Sequence, residues 1–332
     1  MADQVIKQIN LSPPNFSIGE IPIFGDLVLA PMDGFSDLPF RSLVRELGSA
    51  VSYTEFINIQ DVLSQKKSLE FQLRYLPEER PVIYQIYDDD PQRLLKGAVK
   101  LLGRNPDILD INMGCSAKSV AGRGAGAGLL KQPEKIGKIF REISTQIDIP
   151  LTGKIRLGWD QQSKNYLDIA RIIEDNGGKM LAVHARTRSQ DYRQPANWDA
   201  IGEIKQAVSI PVVGNGDISC AADIERMKAH TGCDAVMIGR AAIDNPWIFM
   251  RLERDQVPPK VEREFILAHL QRMLDFYGEE NGLRRFRKFV KGYLQPYPID
   301  AVEMRSLLTC TQPEVLRIKM SEYLNRIKQP AR

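Results

Sequence analysis

Residues 108–115 of the chain read ILDINMGC, a short and largely apolar run, Ile108–Ile111, that ends in Asn112 and Cys115. The same arrangement, an apolar run followed by residues suited to chemistry or to ligand binding, occurs eight times. Eight buried parallel strands with their unusual residues at the carboxyl ends are typical of an α/β protein of the (β/α)8, or TIM, barrel class, and of an enzyme with one active-site face. The predicted strands are Leu27–Ala30, Ala50–Tyr53, Val82–Ile86, Ile108–Ile111, Leu151–Ile155, Met180–Val183, Pro211–Gly214 and Ala235–Ile238.

The length of the chain leaves room for one further, smaller domain. A barrel of this kind needs roughly 250 residues, and the chain has 332. We predict a catalytic barrel over residues 1–250, with a short extension at 1–20, and an all-α helical bundle over residues 251–332. Three apolar stripes at helical spacing support the second domain: Ile266, Leu270, Met273, Leu274 and Tyr277; Phe286, Phe289, Val290, Tyr293 and Leu294; and Leu316, Met320, Tyr323, Leu324 and Ile327.

The composition is that of a globular protein that can bury a full core, since 43% of the residues are hydrophobic and 26% are charged. No apolar stretch reaches the roughly 18 residues that span a bilayer, and the first residues lack a signal-peptide core. We therefore expect a cytoplasmic monomer with no membrane partner. The 4 cysteines and 3 histidines are scattered, which disfavours a metal site. Three thiols are expected to be buried apolar groups, those of Cys220, Cys233 and Cys310.

The positive charge of the chain is concentrated in its last quarter. Residues 251–332 contain 16 Lys and Arg against 11 Asp and Glu, although the whole chain has a net charge of only +3. Arg284, Arg287, Lys288 and Lys291 recur at helical spacing on the side opposite the aromatic stripe. Such a helix can present a row of cations to phosphates. A solvated surface helix with no ligand is the alternative.

Two glycine-containing loops follow the last two predicted strands. They read Gly214-Asn215-Gly216-Asp217 and Gly239-Arg240-Ala241. Barrels of this class often bind a phosphate at this position, where glycine lets backbone N–H groups approach the ligand. Tight turns also need glycine, but two such loops at the two expected strand ends favour a phosphate site.

Residues at other strand ends suggest which ligand carries that phosphate. Gln85 can form a hydrogen bond with a ring amide, and Lys154 can place a positive charge beside a reduced isoalloxazine. The segment that contains Pro31 and Met32 can lie against a flat ring. This set suits flavin mononucleotide (FMN) better than a sugar phosphate, which needs more hydroxyl partners.

The motifs together resemble those of the flavin-dependent tRNA dihydrouridine synthases. LAPMDGFSD at 29–37, with PFR at 39–41, is similar to the opening motif of that family, and DINMGC at 110–115 resembles its cysteine motif. The segment GLRRFRK at 282–288 is most similar to the bacterial B-type branch. The further matches in the same order are KIRLGW at 154–159, VHARTR at 183–188, NGD at 215–217 and MIGR at 237–240.

The resemblance implies a reaction and a set of roles. Hydride from N5 of FMN, itself reduced by NADPH, would add to C6 of a uracil in tRNA, and Cys115 would be the catalytic acid that protonates C5. Asn112 would position the uracil, and Arg186 would hold the target base or a neighbouring phosphate. The residues expected to bind the flavin are Pro31, Met32, Asp33, Gln85, Lys154, His184, Asn215, Gly216, Asp217, Gly239 and Arg240.

The resemblance also implies contacts with RNA outside the flavin site. The helical domain would grip the tRNA through Arg287, Lys288 and Lys291, and the barrel would hold its backbone through Arg123, Arg188 and Arg193. An exposed Tyr192 could stack on a base. Because phosphate contacts carry little sequence information, the modified uridine cannot be inferred from the chain.

Two residues depart from the family pattern. Ser116 replaces the proline that usually follows the cysteine, which would loosen the loop, and Ala185 replaces a glycine.

Several alternative interpretations stay open. Lys154 and Arg156 could form ion pairs across the barrel mouth, and Glu55 could be a salt-bridge partner. The alternatives for the whole chain are a flavin reductase of a free small molecule, a synthase that acts on ribosomal RNA, and an RNA-binding module without activity.

Overall fold

The computed structural model describes residues 13–326, and a (β/α)8 barrel occupies most of them. Eight parallel strands are arranged around the barrel in chain order, and the last pairs with the first. The Ala50 N–H donates to the Leu27 carbonyl (2.7 Å) across the remaining seam, between the first strand and the second. The predicted barrel is therefore confirmed. The barrel strands are β3 (Leu27–Leu29), β4 (Ser52–Tyr53), β5 (Ile57–Asn58), β6 (Val82–Tyr87), β7 (Ile108–Met113), β8 (Leu151–Arg156), β9 (Leu181–His184), β10 (Val212–Asn215) and β11 (Ala235–Ile238).

The second strand of the barrel is the one that departs from the predicted pattern. It is divided into β4 and β5, which pair with successive parts of β6. The intervening residues, Thr54-Glu55-Phe56, leave the sheet, and the Glu55 carboxylate accepts a hydrogen bond from the Gly34 N–H (2.5 Å). Glu55 thus braces the loop after β3 instead of serving as the salt-bridge partner considered from the sequence.

An N-terminal hairpin, not anticipated from the sequence, covers the opposite end of the barrel. The strands β1 (Phe16–Ile18) and β2 (Ile21–Ile23) are antiparallel, and only β1 lies within the predicted extension at 1–20. Ile18 and Ile23 are fully buried in a cluster that includes the first residues of β7 and β11. The hairpin therefore closes the amino-terminal end of the barrel, which leaves the carboxyl-terminal end as the open mouth.

Helices connect the strands and surround the barrel. Several begin with proline in the first turn, and the Asp37 carboxylate caps α1 by accepting from the Phe40 N–H (3.2 Å). The helix α7 (Tyr166–Asp175) ends just before Gly177, whose φ is +95°. The helices of this part are α1 (Leu38–Glu46), α2 (Ile59–Leu63), α3 (Leu69–Leu73), α4 (Pro91–Leu102), α5 (Lys118–Ala121), α6 (Pro133–Ser144), α7 (Tyr166–Asp175), α8 (Trp198–Ala207), α9 (Ala221–Thr231) and α10 (Ala241–Asp244).

Four further helices form the predicted bundle: α11 (Pro259–Tyr277), α12 (Glu279–Leu294), α13 (Ala301–Leu308) and α14 (Pro313–Leu324). The predicted apolar stripes supply its core, except that Ile327 lies outside the described residues. Phe289 of α12 packs against Phe35 and Phe40, with ring centroids 5.4 Å and 5.0 Å apart. Since barrel and bundle share one hydrophobic core, the bundle is held firmly beside the mouth.

Between residues 13 and 326, no helix is both long and apolar enough to cross a membrane. In the same part of the chain, no cluster of three or more His, Cys, Asp or Glu could hold a metal ion.

The four thiols are free, and only Cys233 is fully buried, so the predicted burial of Cys220 and Cys310 is wrong. Cys220 directly precedes α9 and Cys310 follows α13, where both remain partly open to solvent.

Candidate active site

A large cavity of about 2350 Å³ opens at the carboxyl-terminal end of the barrel and continues into a cleft beside the helical bundle. Parallel strands bring their carboxyl ends together at this mouth. Of the predicted site residues, Arg188, Arg287 and Lys288 do not line the cavity. Those that do are Pro31, Met32, Asp33, Gln85, Asn112, Cys115, Lys154, His184, Arg186, Asn215, Gly216, Asp217, Gly239, Arg240 and Lys291.

Cys115 lies in the cavity wall, on the loop between β7 and α5. The loop is held on both sides, because the Cys115 carbonyl accepts from the Ala127 N–H (3.0 Å) and the Cys115 N–H donates to Asn112 Oδ1 (2.9 Å). Burial raises the pKa of the Cys115 thiol, although the Ala117 N–H and the Arg156 guanidinium act in the opposite direction. The thiol is therefore protonated at neutral pH, as a general acid must be.

Asn112 supports that loop from within the barrel. Its Oδ1 also accepts from the Gly114 N–H (3.1 Å), and its Nδ2 donates to Gln85 Oε1 (2.7 Å). Gln85 Nε2 donates to Asp110 Oδ2 (2.8 Å). Most of the hydrogen-bonding capacity of Asn112 and Gln85 is thus directed at the protein, and their contacts with uracil and flavin stay predictions.

Arg156 is a member of the cavity wall that the sequence did not single out as a binding residue. It is buried, its Nε donates to the Gly114 carbonyl (2.9 Å), and its Nη1 donates to the Thr187 carbonyl (2.8 Å). Lys154 Nζ lies 3.3 Å from Asn215 Oδ1. Among residues 13–326, the ion pairs considered for these two cations are not seen; the salt bridges at the mouth instead join Asp217 to Arg186 and, at 3.9 Å, to Arg240.

Four of the six cations that line the cavity act on His184: Lys154, Arg156, Arg186 and Arg240. Burial, followed by the repulsion of Arg156, lowers the pKa of Lys154 to about 8, against the attraction of Asp110. Burial and the same four cations lower the pKa of His184 well below its ordinary value, so its ring is neutral. Buried positive charge with few counter-charges is costly, and an anionic ligand would relieve that cost.

Arg186 is placed differently from the expected contact with the substrate. Its side chain is only 1% exposed. Its guanidinium donates to the Asp217 carboxylate, to the Gln194 carbonyl (2.7 Å) and to the Tyr192 carbonyl (3.3 Å). Asp217 has a φ of +56° and also accepts from the Ala196 N–H (2.7 Å). These bonds hold the loop after β9 against the loop after β10, and a direct contact of Arg186 with RNA stays a prediction.

The two glycine loops meet at one side of the mouth. A Cβ atom on Gly216 would lie 2.9 Å from the Cβ of Ala196, and the φ of Gly216 is +129°, so only glycine fits there. Glu253 already covers the start of α9, since its carboxylate accepts from the Ala221 N–H (2.6 Å). The loop Gly239–Ala241 with Arg240 therefore remains as the place where an external anion meets both backbone and a guanidinium.

Tyr192 lies at the rim beside Arg240. Its side chain is 54% exposed, and the guanidinium carbon of Arg240 lies 4.5 Å from its ring centroid. The ring is also stacked on His184, with centroids 6.0 Å apart. The ring of Tyr192 is therefore exposed, as expected from the sequence, and its stacking on a base stays a prediction.

The basic residues of the helical bundle do not form one uniform row. Lys291 lines the cavity, Lys288 Nζ reaches the Gly34 carbonyl (3.5 Å), and Arg284 is exposed. Arg287 is half-buried and donates to the Cys310 carbonyl. The expectation that Arg287 faces away from the protein with the other cations is wrong, because its guanidinium braces the end of α13.

The three barrel arginines that were predicted to hold the RNA backbone contact aromatic rings or a carboxylate. Arg188 lies over Trp159 (4.6 Å to the ring centroid), and Arg123 lies over Tyr87 (5.4 Å). Arg193 is 91% exposed and pairs with Asp191 (2.9 Å). Their contacts with RNA stay predictions.

Comparison with known proteins identifies the family. The family model of the dihydrouridine synthases (Dus) matches residues 28–328. The chain is 40% identical to tRNA-dihydrouridine synthase B of Pseudomonas putida over 85% of its own length and 86% of that protein. It is 33% identical to the protein of the same name from Pasteurella multocida, over 93% of the chain and 96% of the relative.

A solved structure supports the fold independently. Histamine dehydrogenase from Rhizobium sp. 4-9 matches with a TM-score of 0.57 and 10% identity, over 97% of this chain and 65% of that one. At this identity the likeness concerns the fold alone. The resemblance inferred from the motifs, including that to the bacterial B-type branch, is confirmed by the relatives. The chain belongs to the dihydrouridine synthase family.

Proposed function

We propose that this protein is an FMN-dependent tRNA-dihydrouridine synthase that reduces the C5=C6 bond of uridine. The observation that carries the proposal is the pairing of a protonated thiol, Cys115, with a cluster of cations, three of them buried, in the wall of one cavity. The names of the relatives, which describe tRNA-dihydrouridine synthases, support the same reaction.

The residues of the mouth fit a flavin mononucleotide. Arg240 and the backbone of Gly239 would hold the phosphate, because that loop combines a guanidinium with close backbone approach. Lys154 and neutral His184 would lie beside the ring system, and Pro31 with Met32 would provide an apolar wall. When bound and reduced, the flavin supplies a hydride to carbon 6 of the uracil.

The chain itself supplies the proton. Addition at C6 leaves negative charge over C5 and O4 of the uracil, because that double bond is conjugated with the C4 carbonyl. Cys115 would deliver its proton to C5 as a general acid. Its raised pKa keeps the proton available, and Arg156, which contacts the same loop, would stabilise the thiolate left behind.

A tRNA substrate requires that one base leaves the RNA stack, since C6 is out of reach within a helix. Tyr192 at the rim, with Arg240 against its ring, offers a surface for stacking. Lys288 and Lys291 beside the mouth would hold nearby phosphates. We further propose that NADPH is the reductant and that the protein is a monomer. We also propose that it acts in the cytoplasm, because that is where its tRNA substrate would be found.

The direct test is conversion of uridine in unmodified tRNA by the purified protein with FMN and NADPH, measured by mass spectrometry of nucleosides. We expect dihydrouridine to form with wild-type protein and at a rate at least about 100-fold lower with Cys115→Ala, whereas Cys220→Ala, which changes a partly exposed thiol outside the cavity, retains activity. A free small-molecule reductase would instead turn over without RNA. Full activity of Cys115→Ala would disprove the role of the thiol.

A further inference from the structure

Asp110 is a fully buried carboxylate within the barrel to which the proposed reaction assigns no task. It lies at the inner end of a chain of hydrogen bonds. Thr152 Oγ1 donates to Asp110 Oδ1 (2.7 Å), and Gln85 Nε2 donates to Asp110 Oδ2 (2.8 Å). Gln85 Oε1 then accepts from Asn112 Nδ2 (2.7 Å), and Asn112 Oδ1 accepts from the Cys115 N–H (2.9 Å). The chain thus connects the barrel interior to the loop of the catalytic thiol.

The direction of these hydrogen bonds depends on the carboxylate. An ionised carboxylate can only accept hydrogen bonds, whereas each amide side chain has one accepting and one donating end. With Asp110 ionised, Gln85 must turn its NH2 group inward and its oxygen toward Asn112. Asn112 must in turn direct its oxygen at the N–H groups of Gly114 and Cys115. If the Asn112 amide were rotated by 180°, its NH2 group would face the N–H groups of Gly114 and Cys115, and none of these three donors would have an acceptor.

We propose that Asp110 is a positioning residue: its carboxylate sets the direction of hydrogen bonding through Gln85 and Asn112 and so holds the loop that presents Cys115. The catalytic consequence rests on the proposed function, but the structural claim does not. Network members that are all buried and all satisfied impose a unique arrangement, and Gln85, Asp110, Asn112 and Thr152 are all buried.

The state of Asp110 at neutral pH agrees with this role. Burial raises the pKa of Asp110 to about 6, and the hydrogen bonds from Gln85 and Thr152 and the charge of Lys154 limit the rise. The group is therefore ionised at pH 7.5. Arg156 and the Ala127 N–H hold the same loop from outside, so loss of the inner bonds would loosen the loop without unfolding it.

The test measures the reactivity of the Cys115 thiol in the intact protein. Wild type and Asp110→Asn are treated with iodoacetamide from pH 6.5 to 9.5, and peptide mass spectrometry follows Cys115 with Cys220 as the reference in the same sample. We expect Asp110→Asn to raise the alkylation rate of Cys115 about fivefold, the scale of one lost net hydrogen bond. The pH midpoint of the reaction should move down toward the ordinary thiol value, and the rate at Cys220 should not change.

A second variant separates the direction of the chain from simple packing. Combining Asp110→Asn with Gln85→Glu moves the single carboxylate one position along the chain, where it accepts from residue 110 and from Asn112 Nδ2. Asn112 is then directed as in the wild type, so this double variant should return the rate at Cys115 to the wild-type value. Asp37→Asn, which replaces a buried carboxylate outside the chain, should leave that rate unchanged.

Two outcomes would overturn the proposal: a wild-type rate at Cys115 in Asp110→Asn, or a double variant that reacts like Asp110→Asn alone. Neither readout requires flavin, NADPH or tRNA. Failure of the proposed reaction, seen as absence of dihydrouridine with the wild-type protein, would therefore be distinct from failure of this inference.

Discussion

The cations of the barrel mouth and those of α12 are held differently by the protein. At the mouth, Arg156 and Arg186 are buried, and their donors are bound to carbonyls and to Asp217. On α12, Arg284 and Lys288 are exposed, and only Arg287 is engaged deeply with the protein. Buried and bonded charges act at short range in a low dielectric, whereas exposed charges are screened by salt. The comparison predicts that changes at the mouth affect chemistry and that changes on α12 affect association.

The largest expected effect is that of Cys115→Ala. Loss of a general acid typically costs a factor of about 10² to 10⁴ in rate, and the deleted sulfur lies at the edge of the cavity rather than in the packed core. We therefore expect the turnover of uridine to fall by that factor while FMN binding and the melting temperature stay close to those of the wild type. Single-turnover reduction of tRNA measures the turnover, and thermal unfolding with and without FMN measures FMN binding and the melting temperature. A variant that also loses FMN would mean that the thiol belongs to the flavin site.

The second effect concerns Lys154. In wild type we expect FMN affinity to fall as the pH rises through about 8, because Lys154 then loses the proton that attracts the anionic ligand. Lys154→Met should bind FMN about tenfold more weakly at pH 7, the scale of a charge-assisted hydrogen bond, and should show no such pH dependence. Quenching of FMN fluorescence measures both. The exposed Lys118 provides the control, Lys118→Met, which should behave as wild type.

The third effect tests the exposed face of α12. Lys288→Ala with Lys291→Ala should weaken tRNA binding and reduce the slope of log affinity against log salt by roughly one per lysine that contacts a phosphate. Uridine turnover at saturating tRNA should change little. Arg287→Ala should instead lower the melting temperature, because it removes the bond to the Cys310 carbonyl. If Arg287→Ala alone changed the salt slope, Arg287 would contact RNA, and its role as a brace within the bundle would be wrong.

The smallest effect lies where the barrel contacts the helical bundle, at Asp37. Burial and the charge of Glu55 raise the pKa of Asp37 to about 7, and Tyr277 of α11 donates to Asp37 Oδ2 (3.1 Å). Because the folded-state pKa exceeds the unfolded value, the stability that Asp37 contributes is complete at low pH and is lost as the pH rises toward 7. Asp37→Asn should be more stable than wild type at pH 8, by on the order of 1 kcal/mol. Urea unfolding at pH 4.5 and pH 8 measures it, and an equal effect at both values would contradict the assignment.

The sequence determined the barrel, the bundle and most of the site. The length and the recurrence of the apolar segments alone identify eight buried strands, because a parallel strand that is covered on both faces must be apolar throughout. Residues that end such strands must meet at one mouth, which is why Cys115, Lys154 and Arg240 can be grouped from the sequence alone. The motifs then identified the family, since their order and spacing are specific.

Only the tertiary structure decided how those residues are used. Neither period nor motif shows that Gln85 and Asn112 turn their amides toward Asp110 and the Cys115 loop. Nor does either show that the hairpin of β1 and β2 plugs the barrel, or that Arg287 braces its own domain. The physical reason is that burial and strand spacing are local properties of a sequence, whereas the partner of a polar side chain is chosen among groups that only the fold brings within hydrogen-bonding distance.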